Sequence, residues 1–205
     1  MEKAPTRIQK YELSLDFSNT VDWRKGKRRD DSLKSFDTLL TWCAKHGILS
    51  GEEIPSQIRG ARDEKLGEGT LKKAIQLRET IYRIFSAVAH EQRPREEDLG
   101  VLNKFLADYP ARPMVVRSGQ DYQWNWIHEK GTEGRMLWPI AKSAADLLTS
   151  DQLERVTECA NEDEGCGWIF LDMTRSKTRK WCSMTGCGNR VKVRTWYGKH
   201  EKAQR

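Results

Sequence analysis

Four cysteines in the last quarter of the chain, Cys159, Cys166, Cys182 and Cys187, form two pairs among basic and aromatic residues, and no other feature limits the fold as strongly. Six residues separate the first pair, fifteen separate the pairs, and four lie between Cys182 and Cys187. Four thiolates on two tight turns can supply the whole tetrahedral shell of a structural Zn²⁺ at about 2.3 Å each. Gly165 and Gly167 flank Cys166, and Gly186 and Gly188 flank Cys187, so the backbone can turn closely around the sulfurs.

The alternative is a set of buried or disulfide-bonded cysteines. Five cysteines is an odd count, and MEKAPTRIQKYELSLDF holds no apolar run suited to secretion, so a reducing cytoplasmic setting is expected. There, a cluster of four points to metal rather than to bridges. The fifth, Cys43, falls in step with Leu33, Phe36, Leu39 and Leu40 at helical spacing and reads as a core residue.

Charge is divided unevenly. The 205 residues carry +6 overall, but residues 174 to 205 hold ten Lys or Arg against Glu201 alone, a balance of +9. The remaining 26 basic and 29 acidic residues leave the first 173 at −3. A mildly acidic body with a basic, metal-stabilised end is the asymmetry of a nucleic-acid-binding module joined to something else. Trp181, Met184, Val191, Val193, Trp196 and Tyr197 interleave with the cations, so the end has apolar surface to bury, unlike a solvated charge run. No segment reaches the roughly 20 apolar residues of a membrane span.

The expected fold is mainly α with a small β-hairpin or sheet: a helical domain over 1–156 and a treble-clef-like zinc finger over 157–205. LSLDFSN alternates and suggests a short strand, followed by a charged loop, VDWRKGKRRDD. Asp31 or Ser32 is a candidate N-cap for a helix ending near His46-Gly47. Residues 50 to 69 read as a loop with a helical turn. The longest helix is expected over Thr70 to Glu91, with Leu71, Ala74, Ile75, Leu77, Ile81, Ile84, Phe85 and Val88 inward, Lys and Arg outward, and Pro94 as its stop. A second follows in EEDLGVLNKFLADY. PMVVRSGQDYQWNWIH predicts a hairpin about Ser118-Gly119 that sets Tyr122, Trp124 and Trp126 on one face. Pro139 opens another helix, and Ser150-Asp151 caps a last short one carrying Leu153 and Val156.

In the metal module, GWIFLDMT reads as a strand, RSKTRK as a charged hairpin turn, and Ser183 as the cap of a helix whose first turns contain Cys187. There the positive end of the helix favours thiolate. Arg190, Arg194 and Tyr197 run along one flank of that helix, and Lys192, Trp196 and Lys199 along the other. Arginine suits bidentate contact to guanine and lysine suits phosphate. With Arg175, Lys177, Arg179 and Lys180, these cations are the candidate DNA-binding residues, reading bases, touching only phosphates, or both.

The string WCSMTGCGNR, residues 181 to 190, resembles the signature of the CGNR zinc-finger family, and CGWIFLDMTRSKTRK before it is similar to that family's strand and basic turn. DFSNTVDWR, LRETIYRIFSA, YQWNW and LWPIAKSAADLLTS resemble the ABATE domain that precedes this finger in bacterial proteins described as stress-induced transcription regulators. The resemblance implies zinc held by Cys159, Cys166, Cys182 and Cys187, DNA binding by the finger, and a regulatory or sensing role for the N-terminal domain. CANEDEGC has six residues between its cysteines where the family pattern has about four, so the first turn is expected to bulge. Asn189 would bond the thiolate loop. Arg190 would meet phosphate or a body carboxylate such as Asp172.

If the body senses a small-molecule effector, polar residues among aromatics are the candidate pocket: Asn19, Thr20 and Arg24 with Trp124 and Trp126. Core packing explains the same tryptophans. Two other functional classes remain open, a zinc-stabilised protein-interaction adaptor and a thiol redox switch. An enzyme is not expected, because a closed tetrathiolate shell leaves no position for activating water, and His46, His90, His128 and His200 are scattered. A homodimer would suit a regulator, although no heptad demands one.

Overall fold

The computed structural model describes residues 11–49, 64–108, 112–119, 121–127 and 135–203. The chain is mostly helical, with three two-stranded antiparallel sheets among these residues.

The first element is a helix, α1 (Glu12–Ser18), where alternation suggested a strand. Its buried residues are Ser14, Leu15, Phe17 and Ser18, a helical stripe in which two serines take the place of large apolar residues. Small side chains allow close approach, and the Ser14 backbone N–H donates to Ser143 Oγ at 3.1 Å. The charged loop that follows is framed by two short paired strands, β1 (Val21–Asp22) and β2 (Asp30–Asp31).

α2 (Phe36–Lys45) starts later than Asp31 or Ser32 would place it. Ser35 is the N-cap, and it forms a capping box with Thr38 in which each side chain accepts from the other's backbone N–H. Asp31 is instead drawn to Arg78, whose two terminal nitrogens donate to its two oxygens at 2.6 and 2.7 Å. α2 ends as expected at His46, with Gly47 at φ 68°. Cys43 is fully buried.

The central helix, α3 (Glu64–Ala89), begins six residues before Thr70. Residues 50–63 of the expected loop lie outside the described residues. Ala74, Leu77, Ile81, Ile84 and Phe85 are fully buried. Arg78 is only 1 % exposed, a correction to the outward placing of every cation on this helix. α3 stops well short of Pro94: Glu91 takes φ 58°, and Gln92 N–H donates to Ala87 C=O and Glu91 N–H to Val88 C=O, closing the last turn in a Schellman pattern.

α4 (Glu96–Asp108) packs on α3. The hairpin β3 (Arg112–Ser118) and β4 (Asp121–Ile127) turns as predicted, with Ser118 opposite Asp121 and Gly119 at φ 62°. The side chains of Tyr122, Trp124 and Trp126 lie outside those described. α5 (Trp138–Leu148) buries Ile140, Ala144 and Leu147. The expected short helix after Ser150 is a single 3₁₀ turn, Leu153–Arg155, which passes into a strand, β5 (Val156–Glu158), paired with β6 (Ile169–Leu171). The last helix is α6 (Asn189–Ala203).

One hydrophobic core gathers α1 to α5, and Val156, Ile169 and Leu171 of the β5–β6 sheet belong to it. The sheet that carries the first cysteine pair is therefore seated in the body, and residue 157 lies within β5. Among the described residues, no helix is long and apolar enough to cross a membrane.

Candidate metal centre

The site is built at the tip of the β5–β6 hairpin. Cys159 N–H donates to Trp168 C=O at 2.8 Å, extending the ladder by one rung and starting the knuckle. The expected bulge is there: a turn over 162–165, with Gly165 N–H on Glu162 C=O at 2.8 Å and Cys166 N–H on Asn161 C=O at 3.1 Å. Gly165 and Gly167 lie at φ 68° and 69°, the left-handed region that glycine adopts without strain.

After β6 the chain does not return as a hairpin strand: β6 pairs with β5 on one edge, and the Asn19 carboxamide takes the N–H and C=O of Ile169 on the other. Residues 172–180 form a loop organised by Asp172, a buried carboxylate that accepts from Thr174 N–H, Thr174 Oγ1 and Arg179 N–H at 2.8, 2.6 and 2.7 Å. Burial works against its charge, but these donors outweigh it and hold Asp172 below the usual carboxylate range. Arg179 lies 4.5 Å over the Phe170 ring and donates to the carbonyls of Trp181 and Cys182. The loop thus delivers Cys182 to the first pair.

Ser183 caps the next turn as predicted, accepting from Gly186 N–H at 3.1 Å. The turn itself, Met184–Gly188, is π-helical, closed by Gly188 N–H on Ser183 C=O at 2.9 Å. Cys187 thereby sits at the mouth of α6.

The four Sγ atoms lie within 4.8 Å of one another. Cys166 and Cys182 are 3.8 Å apart, and Cys182 and Cys187 3.7 Å. Sulfurs about 2.3 Å from one tetrahedral ion would stand about 3.8 Å apart, so the cluster fits a metal. A disulfide needs about 2.05 Å, and all five cysteines are free. Hydrogen bonds from the Cys166 and Cys182 thiols and from the Cys182 N–H pull Cys159 far below the ordinary thiol range. The same contacts raise Cys166, and Cys182 is pushed up to about 12, first by its bond to Cys159. A bound cation would favour the thiolate forms that serve as its ligands. These four cysteines form a cluster that could hold a metal ion.

Residues 155–200 match the CGNR zinc finger, and residues 12–151 match the ABATE family, described as "Putative stress-induced transcription regulator". The chain belongs to the ABATE family. Among curated proteins nothing matches it.

In this ABATE chain the body completes the knuckle. Arg24 N–H donates to Cys166 C=O at 3.1 Å and Lys25 N–H to Gly165 C=O at 2.9 Å. Asn19 donates to Ile169 C=O at 2.7 Å and accepts from its N–H at 2.9 Å. Arg24 stacks 4.1 Å over Tyr82, pairs with Glu79 at 2.5 Å and donates to Ser18 C=O at 2.6 Å. Thr20 Oγ1 donates to Phe17 C=O and receives Arg78. The polar atoms of Asn19, Thr20 and Arg24 are thus taken by protein partners. Trp124 and Trp126 lie on β4, away in sequence from all three.

The basic residues divide. Arg190 pairs with Glu164 at 3.1 Å, not with Asp172, and lies 4.8 Å over the Trp23 ring. Arg194 pairs with Glu164 at 2.6 Å and also with Asp163. Arg179 is spent on the second knuckle, and Lys177 reaches Glu154. Arg175, Lys180 and Lys192 are exposed without an ion pair among the described residues, and the Lys199 side chain lies outside them. Asn189 is exposed at the start of α6, and its side chain makes no hydrogen bond among the described residues. The contacts of Trp23, Asp163 and Glu164 with Arg190 and Arg194 join residues distant in sequence, and no local pattern marks them.

Proposed function

We propose that this chain is a zinc-dependent, DNA-binding transcription regulator, with the ABATE body receiving a signal or mediating assembly. The observation that carries the reading is the cluster of four sulfurs, all within 4.8 Å of one another, at the mouth of a basic helix. Four soft thiolates and a closed shell suit Zn²⁺, whose part is to fix the two knuckles to each other.

The contact set narrows when the ion pairs are considered. Arg190 and Arg194 hold α6 against the first knuckle, so among the described side chains the cations offered to phosphate are Arg175, Lys180 and Lys192. Trp196 and Tyr197, 54 % and 58 % exposed on α6, add flat surfaces beside them. The test is binding of full-length, metal-loaded protein to labelled duplex DNA across a salt series, with and without chelator. Metal-dependent binding that weakens steeply with salt is expected. Equal binding after chelation, or none at low salt, overturns the reading.

A second reading, a protein-interaction adaptor, is favoured by the apolar part of the same face, where Val193 is 54 % exposed beside Trp196 and Tyr197. Salt-insensitive capture of a protein partner, lost on substitution of Trp196 alone, would favour it.

A further inference from the structure

The charged loop between β1 and β2 lies against the metal knuckle, and it is held there by backbone rather than by long side chains. Beyond the two hydrogen bonds from Arg24 and Lys25, Gly26 N–H closes a turn on Trp23 C=O at 2.8 Å, with Trp23 at φ 50°. Gly26 and Gly165 meet so closely that a Cβ on either would fall under 3.0 Å from the other segment's backbone. Loop, bulge and the first turn of α6 enclose an open cleft of about 860 Å³, whose cations are Lys25, Lys27, Arg28 and Arg190.

The carboxylates of the cleft are Glu162, Asp163 and Glu164. Two of these are compensated by Arg190 and Arg194, while Lys25 is spent on Glu158, whose side chain is 8 % exposed. Arg29 leans toward Glu79 at 3.7 Å. Lys27 and Arg28 remain, exposed and without an ion pair among the described residues, against Glu162. They follow directly on the Trp23–Gly26 turn, whose backbone is hydrogen-bonded to the knuckle.

We infer that the DNA-binding surface is composite: the β1–β2 loop of the body supplies Lys27 and Arg28 as phosphate contacts beside those of the finger. This rests on the DNA-binding reading above and extends it to residues far from the finger in sequence.

The test uses full-length, metal-loaded protein and a fluorescein-labelled mixed-sequence duplex, titrated by anisotropy from low to physiological salt. K27Q/R28Q is compared with wild type, with the charge-retaining K27R/R28K, and with K72Q/K104Q, which removes two exposed cations from α3 and α4. Each phosphate contact carries about 0.9 of log–log salt slope. The first variant should therefore lose about 1.8 of slope and bind several-fold more weakly at low salt. Metal content and helicity should be unchanged, the charge-retaining variant should keep the slope, and the control should match wild type. A slope for K27Q/R28Q equal to wild type or to the control overturns the composite surface while leaving DNA binding by the finger intact. Lost binding to polyglutamate with unchanged DNA binding overturns it in favour of an acidic protein partner. No DNA binding by wild type overturns both readings.

Discussion

The Asn19 carboxamide makes both of its hydrogen bonds to one peptide unit, donating to Ile169 C=O and accepting from Ile169 N–H. It does for the free edge of β6 what a third strand would do, and it ties the end of α1 to the sheet that carries Cys159 and Cys166. Ile169 is fully buried, so nothing else replaces the amide if it is removed. N19A leaves a donor and an acceptor unpaired at about 1 to 3 kcal/mol each. A loss of about 2 to 6 kcal/mol is expected in urea unfolding. N19D, which can accept but not donate, should fall between the two.

Cys182 is hydrogen-bonded to Cys166 and Cys187 and receives the Arg179 guanidinium on its carbonyl. C182S should take bound metal from one ion per chain to none, measured by elemental analysis. Structural zinc is worth an apparent ~10–16 kcal/mol in small fingers. Because Val156, Ile169 and Leu171 sit in the body's core, the near-ultraviolet signal of the body should shift as well, and thermal unfolding should begin at lower temperature.

Two glycines offer a matched pair. Gly165 has φ 68°, and a Cβ there meets the backbone of Lys25 and Gly26, while a Cβ on Gly198 in α6 meets nothing within 4 Å. G165A should weaken metal affinity, measured by chelator competition, because strain of about 1 kcal/mol or more is added at the knuckle. G198A should stabilise α6 by about 0.5 to 1 kcal/mol and leave the metal alone.

Three buried or half-buried carboxylates set the response to acid. Burial pushes Asp31, Asp98 and Asp172 up, but Arg78 with the Leu33 N–H, Arg83 with Arg95, and Thr174 with the Arg179 N–H outweigh it in turn, leaving all three lowered. A lowered folded pKa means the stabilisation is present above the unfolded value of 3.8 and is lost as pH falls through the folded values below it. Melting temperature should hold above about pH 5 and fall below about pH 4. R78M should cost about 3 kcal/mol at neutral pH by stranding Asp31. That deficit should shrink below pH 4.

Local regularities carried the reading of the chain as far as they extend. Glycine flanks and the Ser183 cap act within one turn, and the cysteines are marked by residue type wherever they stand, so the sulfur cluster was legible. The three-and-four spacing from Ala74 to Phe85 gave the central helix for the same reason. α1 was misread because Ser14 and Ser18, buried for their small size, look polar in a pattern. The Ser35–Thr38 box lacks the usual Glu or Gln, and Asp31 looked a better cap until Arg78 claimed it. What joins body to finger was not legible, since Arg24 and Lys25 meet Cys166 and Gly165 through peptide groups alone, and the Asn19 carboxamide answers the peptide unit of Ile169, which leaves no mark on the side chain there.

The contact between Lys25 and Gly165 bears on how such a module can be inherited. Transplanted onto a foreign partner, the cysteine-bearing segment would arrive without the N–H donors that Arg24 and Lys25 bring to the carbonyls of Cys166 and Gly165. A working graft must bring the Trp23–Gly26 turn with it, so donor and recipient are constrained to travel as one heritable piece.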